Sequence, residues 1–150
     1  LRDKINNIKI LVVGECYGNE KDFIQLAKDK GVSDLIDFRF EFVPNEKVNQ
    51  YFCASDLVVL PYKAATQSGV IPIAYHFNKP VVVSNVGGLP EIVENYKTGF
   101  VCKPNSISIA EGILKYYESN LENYPILIAE YKKQFSWKNF VKVVLELAES

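Results

Sequence analysis

Three polar, glycine-containing segments of this chain have the residue types that bind anions or small polar ligands, and each follows an apolar run. The first reads Pro61-Tyr62-Lys63-Ala64-Ala65-Thr66-Gln67-Ser68-Gly69-Val70 and leads into a helical pattern. The first N–H groups of a helix have no intrahelical partner, and with the helix dipole they attract anions, phosphate above all. Gly69 would let a phosphate approach the backbone, Thr66 and Ser68 offer hydroxyls, and Lys63 offers charge. The same residues also describe ordinary capping by Thr66 or Ser68, with a glycine kept for packing. The second segment reads Ser84-Asn85-Val86-Gly87-Gly88-Leu89-Pro90-Glu91. Paired glycines permit positive φ and close backbone approach. Glu91 stands where a carboxylate favours the positive end of the following helix. A ligand-binding turn and a tight connection fit this segment equally. It is not GxGxxG, and the lysine and spacing of a phosphate-binding P-loop are missing. In the third segment, Gly14-Glu15-Cys16-Tyr17-Gly18-Asn19, glycine reads as geometry. Cys16 has no histidine near it in sequence and no nucleophile motif around it.

The remaining reactive residue types are sparse. His76 is the only histidine, and the pattern around it predicts a partly buried structural side chain. Asp56 is expected to cap or pair locally, and Trp137 to pack at the start of the last helix. No two carboxylates have the spacing of a general acid–base couple. No HExxH, Ser-His-Asp elbow or metal-ligand cluster is present.

The elements that must position these segments follow from hydropathy. Short β-rich runs are predicted at 8–13 (a buried strand), 36–43, 56–60, 80–84 and 99–102. Amphipathic stretches between and after them predict helices over 22–30, 46–54 (capped by Asn45), 68–77, 89–94, 106–117, 121–134 and 137–148. Pro72 falls inside the helix from Ser68 and is tolerated only in a first turn. Strand alternating with helix implies right-handed βαβ units and a parallel sheet. The expected fold is therefore α/β, a Rossmann-like parallel sheet with helices on both faces. Ligands of such sheets bind beyond the carboxyl ends of the strands, which selects the loops after Val13, Val43, Leu60 and Val83.

Composition narrows the class. The 150 residues carry net charge −1, are 48% hydrophobic and 23% charged, and include only two arginines, Arg2 and Arg39. One domain of about 100–200 residues is expected. The near-zero charge argues against nucleic acid, which leaves a basic footprint. No apolar run reaches the ~18 residues of a membrane span. Cys16, Cys53 and Cys102 are odd in number and far apart, which suits reduced thiols in a cytoplasmic protein. The absence of methionine, even at position 1, suggests a fragment of a longer protein.

Several segments in order carry a family resemblance. They are Ile10-Leu11-Val12-Val13-Gly14-Glu15, Val43-Pro44-Asn45-Glu46, and Ala54-Ser55-Asp56-Leu57-Val58-Val59-Leu60-Pro61-Tyr62. Lys79-Pro80-Val81-Val82-Val83-Ser84-Asn85-Val86-Gly87-Gly88-Leu89-Pro90-Glu91-Ile92-Val93 and Lys97-Thr98-Gly99-Phe100-Val101 complete the set. The chain resembles the C-terminal, donor-binding domain of retaining glycosyltransferases with the GT-B fold, in particular the group-one family (family four). The resemblance covers 8–104 closely and the helical tail loosely. It implies two Rossmann-like domains, of which the C-terminal one holds a nucleotide-diphosphate sugar, UDP- or GDP-linked. Transfer retains the anomeric configuration, with no obligatory metal and no further cofactor. The donor diphosphate and sugar map onto Thr66, Gln67, Ser68, Gly69 and Val70, and the base onto the vicinity of Gly14, Phe42 and Val43. Gly87, Gly88 and Glu91 form the glycine-turn loop, whose ligand role stays open, and no residue is assigned to catalysis.

The chain departs from the family twice. Two family glutamates, the second implied by the resemblance to bind the ribose, would fall on Ala65 and Ile73 or, with a one-residue gap, on Thr66 and Ala74, so neither register supplies a carboxylate. Thr66-Gln67-Ser68-Gly69 looks like a variant bacterial branch in which Thr66 and Gln67 replace the first. The resemblance implies an extra strand and helix at the start of this domain, with basic residues, and an acceptor-binding N-terminal domain, the expected partner; this chain is expected to start after them. The expected function is sugar transfer to a glycan or lipid-linked acceptor in polysaccharide assembly, cytoplasmic or peripheral at the inner membrane. The isolated chain is expected to bind donor weakly and to be inactive. A non-catalytic nucleotide-sugar-binding module and a GT-B sugar-nucleotide epimerase domain are the alternatives.

Overall fold

The computed structural model describes residues 1–149, which cluster into two compact units, Leu1–Tyr51 and Phe52 onward. In the first unit, β1 (Ile10–Val13) pairs in parallel with β2 (Ile36–Arg39). Between them run α1 (Glu20–Asp29) and a short 3-10 turn, Ser33–Leu35. Asn19 caps α1 by accepting from the Lys21 N–H, and Glu20 and Asp22 sit at the positive end of its dipole. Arg2 forks onto Asp34 at 2.8 and 3.0 Å and reaches the Gly31 carbonyl, tying the first residues to this unit.

Two expectations for this unit are corrected. Strand β2 ends at Arg39 rather than Val43, because its partner ends first. Gly14 takes φ +139°, turns the chain out of β1, and its N–H makes the last rung to the Arg39 carbonyl at 3.1 Å. The alternating residues 40–43 then have no strand to pair with. The apolar run of β1 is also not buried. Ile10, Leu11 and Val12 are exposed, because among the described residues β1 hydrogen-bonds only to β2.

Helix α2 (Asn45–Ala54) leads on to the second unit, whose parallel sheet has the order β3 (Val58–Leu60), β4 (Val81–Ser84), β5 (Gly99–Cys102). The central β4 is completely buried, as a strand covered on both faces must be. Between the strands lie α3 (Val70–His76) and α4 (Leu89–Ile92), followed by α5 (Ser106–Glu118), α6 (Asn123–Tyr131) and α7 (Trp137–Ala148). No described helix is long and apolar enough to cross a membrane.

Of the boundaries that differ here from the sequence reading, three do so for identifiable local reasons. Strand β3 starts at Val58 rather than Asp56. Val58 bonds the Pro80 carbonyl, but Pro80 has no N–H with which to extend the ladder. Helix α3 starts at Val70 rather than Ser68, which puts Pro72 at its third position, where no N–H is required. The predicted 121–134 helix tightens after Tyr131 into a 3-10 turn, Lys132–Phe135.

That turn carries a device the sequence did not reveal. The Lys132 ammonium donates to the carbonyls of Tyr75 and His76 and to Asn78 Oδ1, so a cation closes the negative end of α3. Beneath it, Tyr75 donates to Thr98 Oγ1 at 2.8 Å, and Tyr131 donates to the Ile92 carbonyl at 3.0 Å. Burial pushes the Tyr75 hydroxyl well above its ordinary pKa.

Tyr116 makes a comparable link from α5 to the approach of β3, donating to the Asp56 carbonyl at 3.0 Å. Burial, then the charge of Asp56, pushes its pKa from 10.0 up to about 12. The unfolded chain therefore ionises this hydroxyl first. The stability Tyr116 contributes is complete below pH 10 and is lost as pH rises from 10 toward 12. The melting temperature should fall more steeply across that window in the wild type than in Tyr116→Phe. Parallel melting curves for the two would show that Tyr116 does not govern the alkaline transition.

Candidate functional site

The first polar loop leaves the carboxyl end of β3 and enters α3. Ser68 is buried, and its Oγ accepts from the Val70 N–H at 3.3 Å, so Ser68 satisfies the first N–H of α3 from one residue before the cap position, which Gly69 occupies. Thr66 caps nothing in α3. It is exposed, and its carbonyl is engaged elsewhere. Gln67 and Lys63 are exposed. Gly69 is the residue that precedes α3, and nothing lies within 4 Å of the position its Cβ would take. Its φ of −66° needs no glycine, so the glycine leaves space rather than permitting a conformation. Capping and an open approach to the helix start therefore coexist in one loop.

Sequence reasoning passed over Tyr62. Its hydroxyl lies 3.4 Å from Ser68 Oγ and backs the capping residue from behind. A tyrosine directly after Pro61, between a strand end and a serine-containing loop, was the available signal.

The second loop meets the first. The Gly88 N–H donates to the Thr66 carbonyl at 2.8 Å, and Gly87 takes φ +51° against the backbone of Ala65. Glu91 is exposed, and its Oε2 lies 3.7 Å from where a Gly88 Cβ would be. That is the third position of α4, from which an acid reaches back toward its own helix start. The structure thus brings Thr66, Gln67, Ser68, Gly69, Val70, Gly87, Gly88 and Glu91 together in the second unit.

Gly14, Phe42 and Val43 belong to the first unit. Gly14 stands at the carboxyl end of β1, hydrogen-bonded to the end of β2. Phe42 is exposed and Val43 half-buried just beyond that end.

Other singled-out residues are placed differently from expectation. His76 is exposed rather than partly buried, edge-on to Phe77 at 4.9 Å. Trp137 does not pack into a core. It is 81% exposed and touches Phe140 of its own helix edge-on at 5.7 Å. Asp56 contributes its carbonyl, to Tyr116, rather than a side-chain cap. Cys102 is buried, and burial raises its thiol pKa, so it is inert packing. An open depression of about 410 Å³ at the start of α5 is lined by Lys103, Asn105, Ser106, Ile107, Ser108 and Glu111. Two of its polar groups are spent locally: Asn105 Oδ1 accepts from the Ser108 N–H, and Ser108 Oγ from the Lys103 N–H.

Parallel sheets flanked by helices, with a polar loop at a carboxyl edge, define the Rossmann-like class of the GT-B C-terminal domain. Solved structures bear this out. Anabaena Alr3699/HepE in complex with UDP superimposes with TM-score 0.78 at 22% identity, covering 99% of this chain and 43% of that one. Sucrose-phosphate synthase from Thermosynechococcus elongatus gives TM-score 0.75 at 20% identity over 94% of this chain and 38% of the other. The chain belongs to the group 1 glycosyl transferases, whose family pattern it matches over residues 1–135. It is 29% identical over 152 residues to D-inositol 3-phosphate glycosyltransferase from Rhodococcus jostii, covering 97% of this chain and 33% of that protein. It is 30% identical over 144 residues to an uncharacterised glycosyltransferase, MJ1607, of Methanocaldococcus jannaschii, covering 91% of this chain and 36% of that one. The chain thus spans about a third of the length of these curated relatives.

Proposed function

We propose that this chain is the donor-binding part of a retaining glycosyltransferase that moves a sugar from a nucleotide-diphosphate sugar to a glycan or lipid-linked acceptor. The observation that carries this reading is the loop Thr66–Val70. Ser68 fixes the start of α3 from the buried side, while Gly69 opens the same point to solvent in a chain of this family. Backbone N–H groups held there stabilise the charge that grows on a leaving diphosphate, with no reorganisation during the reaction. Thr66 and Gln67, both exposed, supply polar contacts to sugar or phosphate. The base-contact role of Gly14, Phe42 and Val43 rests on the family resemblance. The UDP and UDP-glucose complexes of Alr3699/HepE support the substrate class. The bacterial, polysaccharide-assembling and cytoplasmic assignments rest on the resemblance alone.

The remainder of the same protein is the proposed partner, and it or a second copy of the chain would pack on part of α7, which is apolar on more than one side. Phe140, Val144 and Leu145 are exposed there, and no residue of α7 is buried.

The test is a titration of the full-length protein with UDP, GDP and ADP, free and sugar-linked, read by backbone amide shifts. Saturable shifts at Ser68, Gly69 and Val70 with one base preferred are expected. Tight nucleotide binding that leaves those amides unmoved would overturn the assignment of the loop.

A further inference from the structure

The two glycines of the turn after β4 face protein rather than ligand, and the protein they face is the donor loop. A Cβ on Gly87 would overlap the Ala65 carbonyl oxygen, lie 2.8 Å from the Ala65 carbonyl carbon and 3.0 Å from the Thr66 oxygen. The obstacles are backbone atoms, which cannot swing aside as a flexible side chain can. A Cβ on Gly88 would stand 3.0 Å from the Thr66 oxygen and 3.8 Å from Gln67 Cγ. Into that contact Gly88 also donates its N–H, to the Thr66 carbonyl at 2.8 Å. The turn itself is held at both ends. Ser84, which closes β4, and Leu89, which opens α4, are each fully buried. A fixed turn therefore meets an exposed loop at a distance only glycine allows. By contrast, Gly69 within the loop has open space around it.

We infer that Gly87 and Gly88 are positioning residues for donor binding: they seat Ala65, Thr66 and Gln67 against the sheet and so set how the loop enters α3. The inference rests on the proposed donor role of Thr66–Val70 and adds what holds that loop in place. It also resolves the choice left open for this segment, since the close approach that paired glycines permit is spent on the chain itself. Transition-state geometry tolerates little displacement: a shift of about 1 Å from a substitution outside the chemistry can cost about 10²-fold in rate. The glycine pair sits where such a shift would begin.

The experiment uses the full-length protein and three variants, Gly88→Ala, Gly87→Ala and Gly31→Ala. Gly31 has a left-handed φ of +65° with nothing within 4 Å, so its variant carries backbone strain without the contact. Three quantities are measured: UDP and GDP dissociation constants, the KM values for donor and acceptor separately, and hydrogen exchange of the peptide spanning 62–71 without ligand. Gly88→Ala is expected to speed exchange in that peptide and to raise donor KM and nucleotide dissociation constant about tenfold, with acceptor KM unchanged. Gly87→Ala should do the same more strongly, and if it fails to fold Gly88→Ala still decides the matter. Gly31→Ala should leave all three quantities at wild-type values. Unchanged exchange over 62–71 in Gly88→Ala, or wild-type nucleotide affinity in both glycine variants, overturns the positioning role alone. Wild-type protein that binds nucleotide without involving Ser68–Val70 overturns the donor reading, while faster exchange in Gly88→Ala would still uphold the seating of the loop.

Discussion

Replacing Gly99 by alanine is expected to prevent the second unit from folding stably at 37 °C. Gly99 opens β5 and is buried, opposite Val81 in the register of β4. A Cβ there would overlap the Val81 carbonyl oxygen and come within 2.9 Å of both its carbonyl carbon and its Cγ2. Val81 cannot retreat, because Val81, Val82 and Val83 are all fully buried between the neighbouring strands. The alternative is for β5 to move away, which breaks the rungs that join it to β4. It would also displace Thr98, whose Oγ1 accepts from the Glu94 N–H at 3.0 Å and from the Tyr75 hydroxyl at 2.8 Å. Overpacking against backbone combined with a broken buried network belongs to the rare class of substitutions that cost more than about 4 kcal/mol. For a unit of this size each kcal/mol is worth about 4–8 °C in melting temperature, so a fall of more than about 15 °C, or insoluble expression, is the expected result. The measurement is thermal unfolding followed by far-UV circular dichroism, with Gly31→Ala as the comparison. A Gly99→Ala protein that melts within a few degrees of wild type would show that β5 can shift away from β4 at little cost.

The contrast between Gly99 and Gly69 marks how far the sequence could be read. Both are glycines beside loops of the same sheet, and both lie within the stretch 8–104 that the resemblance covers. Periodicity found every strand and helix of the sheet, because apolar runs and amphipathic spacing are local properties. It could not say that Gly99 exists for a strand contact, Gly69 for open space, and Gly87 and Gly88 for another loop. Those roles depend on which backbone lies opposite, and that is decided by contacts over 18 to 22 residues of separation. The strand ends failed for the same reason. Residues 40–43 have the alternation of a strand, but β1 has already turned away at Gly14, so a ladder needs information from both members. Lys132 is a further case. Nothing local distinguishes it from Lys133, which pairs with Glu130 on the surface, yet Lys132 closes the end of a helix more than fifty residues earlier. The candidate site was legible as two loops at the carboxyl edge, since electrostatics at a helix start is a local argument. That one loop supports the other was not.

The two registers proposed for the absent family carboxylate can now be separated. Ala74 is fully buried in the core beside Tyr75 and Ile71, whereas Ile73 is 39% exposed on the outer side of α3. A carboxylate at 74 would have to be desolvated without a partner, which costs several kcal/mol or forces it neutral. At 73 it would remain solvated, four residues after Gly69 and within reach of a ligand seated at the helix start. The resemblance implies that this family position serves the ribose. Ile73→Glu is therefore expected to tighten binding of UDP or GDP to the full-length protein by about tenfold or more, the worth of a hydrogen bond to a charged group at about 1.5–3 kcal/mol. The gain should shrink for the 2′,3′-dideoxynucleotide, which lacks the hydroxyls a carboxylate would accept from. Ala74→Glu should instead lower the melting temperature and leave nucleotide affinity no better. Isothermal titration of both variants with nucleotide and dideoxynucleotide decides the matter. A stably folded Ile73→Glu protein with wild-type affinity for every nucleotide would mean that position 73 faces away from the ribose, and the chain would then bind its donor through the Thr66–Val70 loop without help from α3 beyond its first turn.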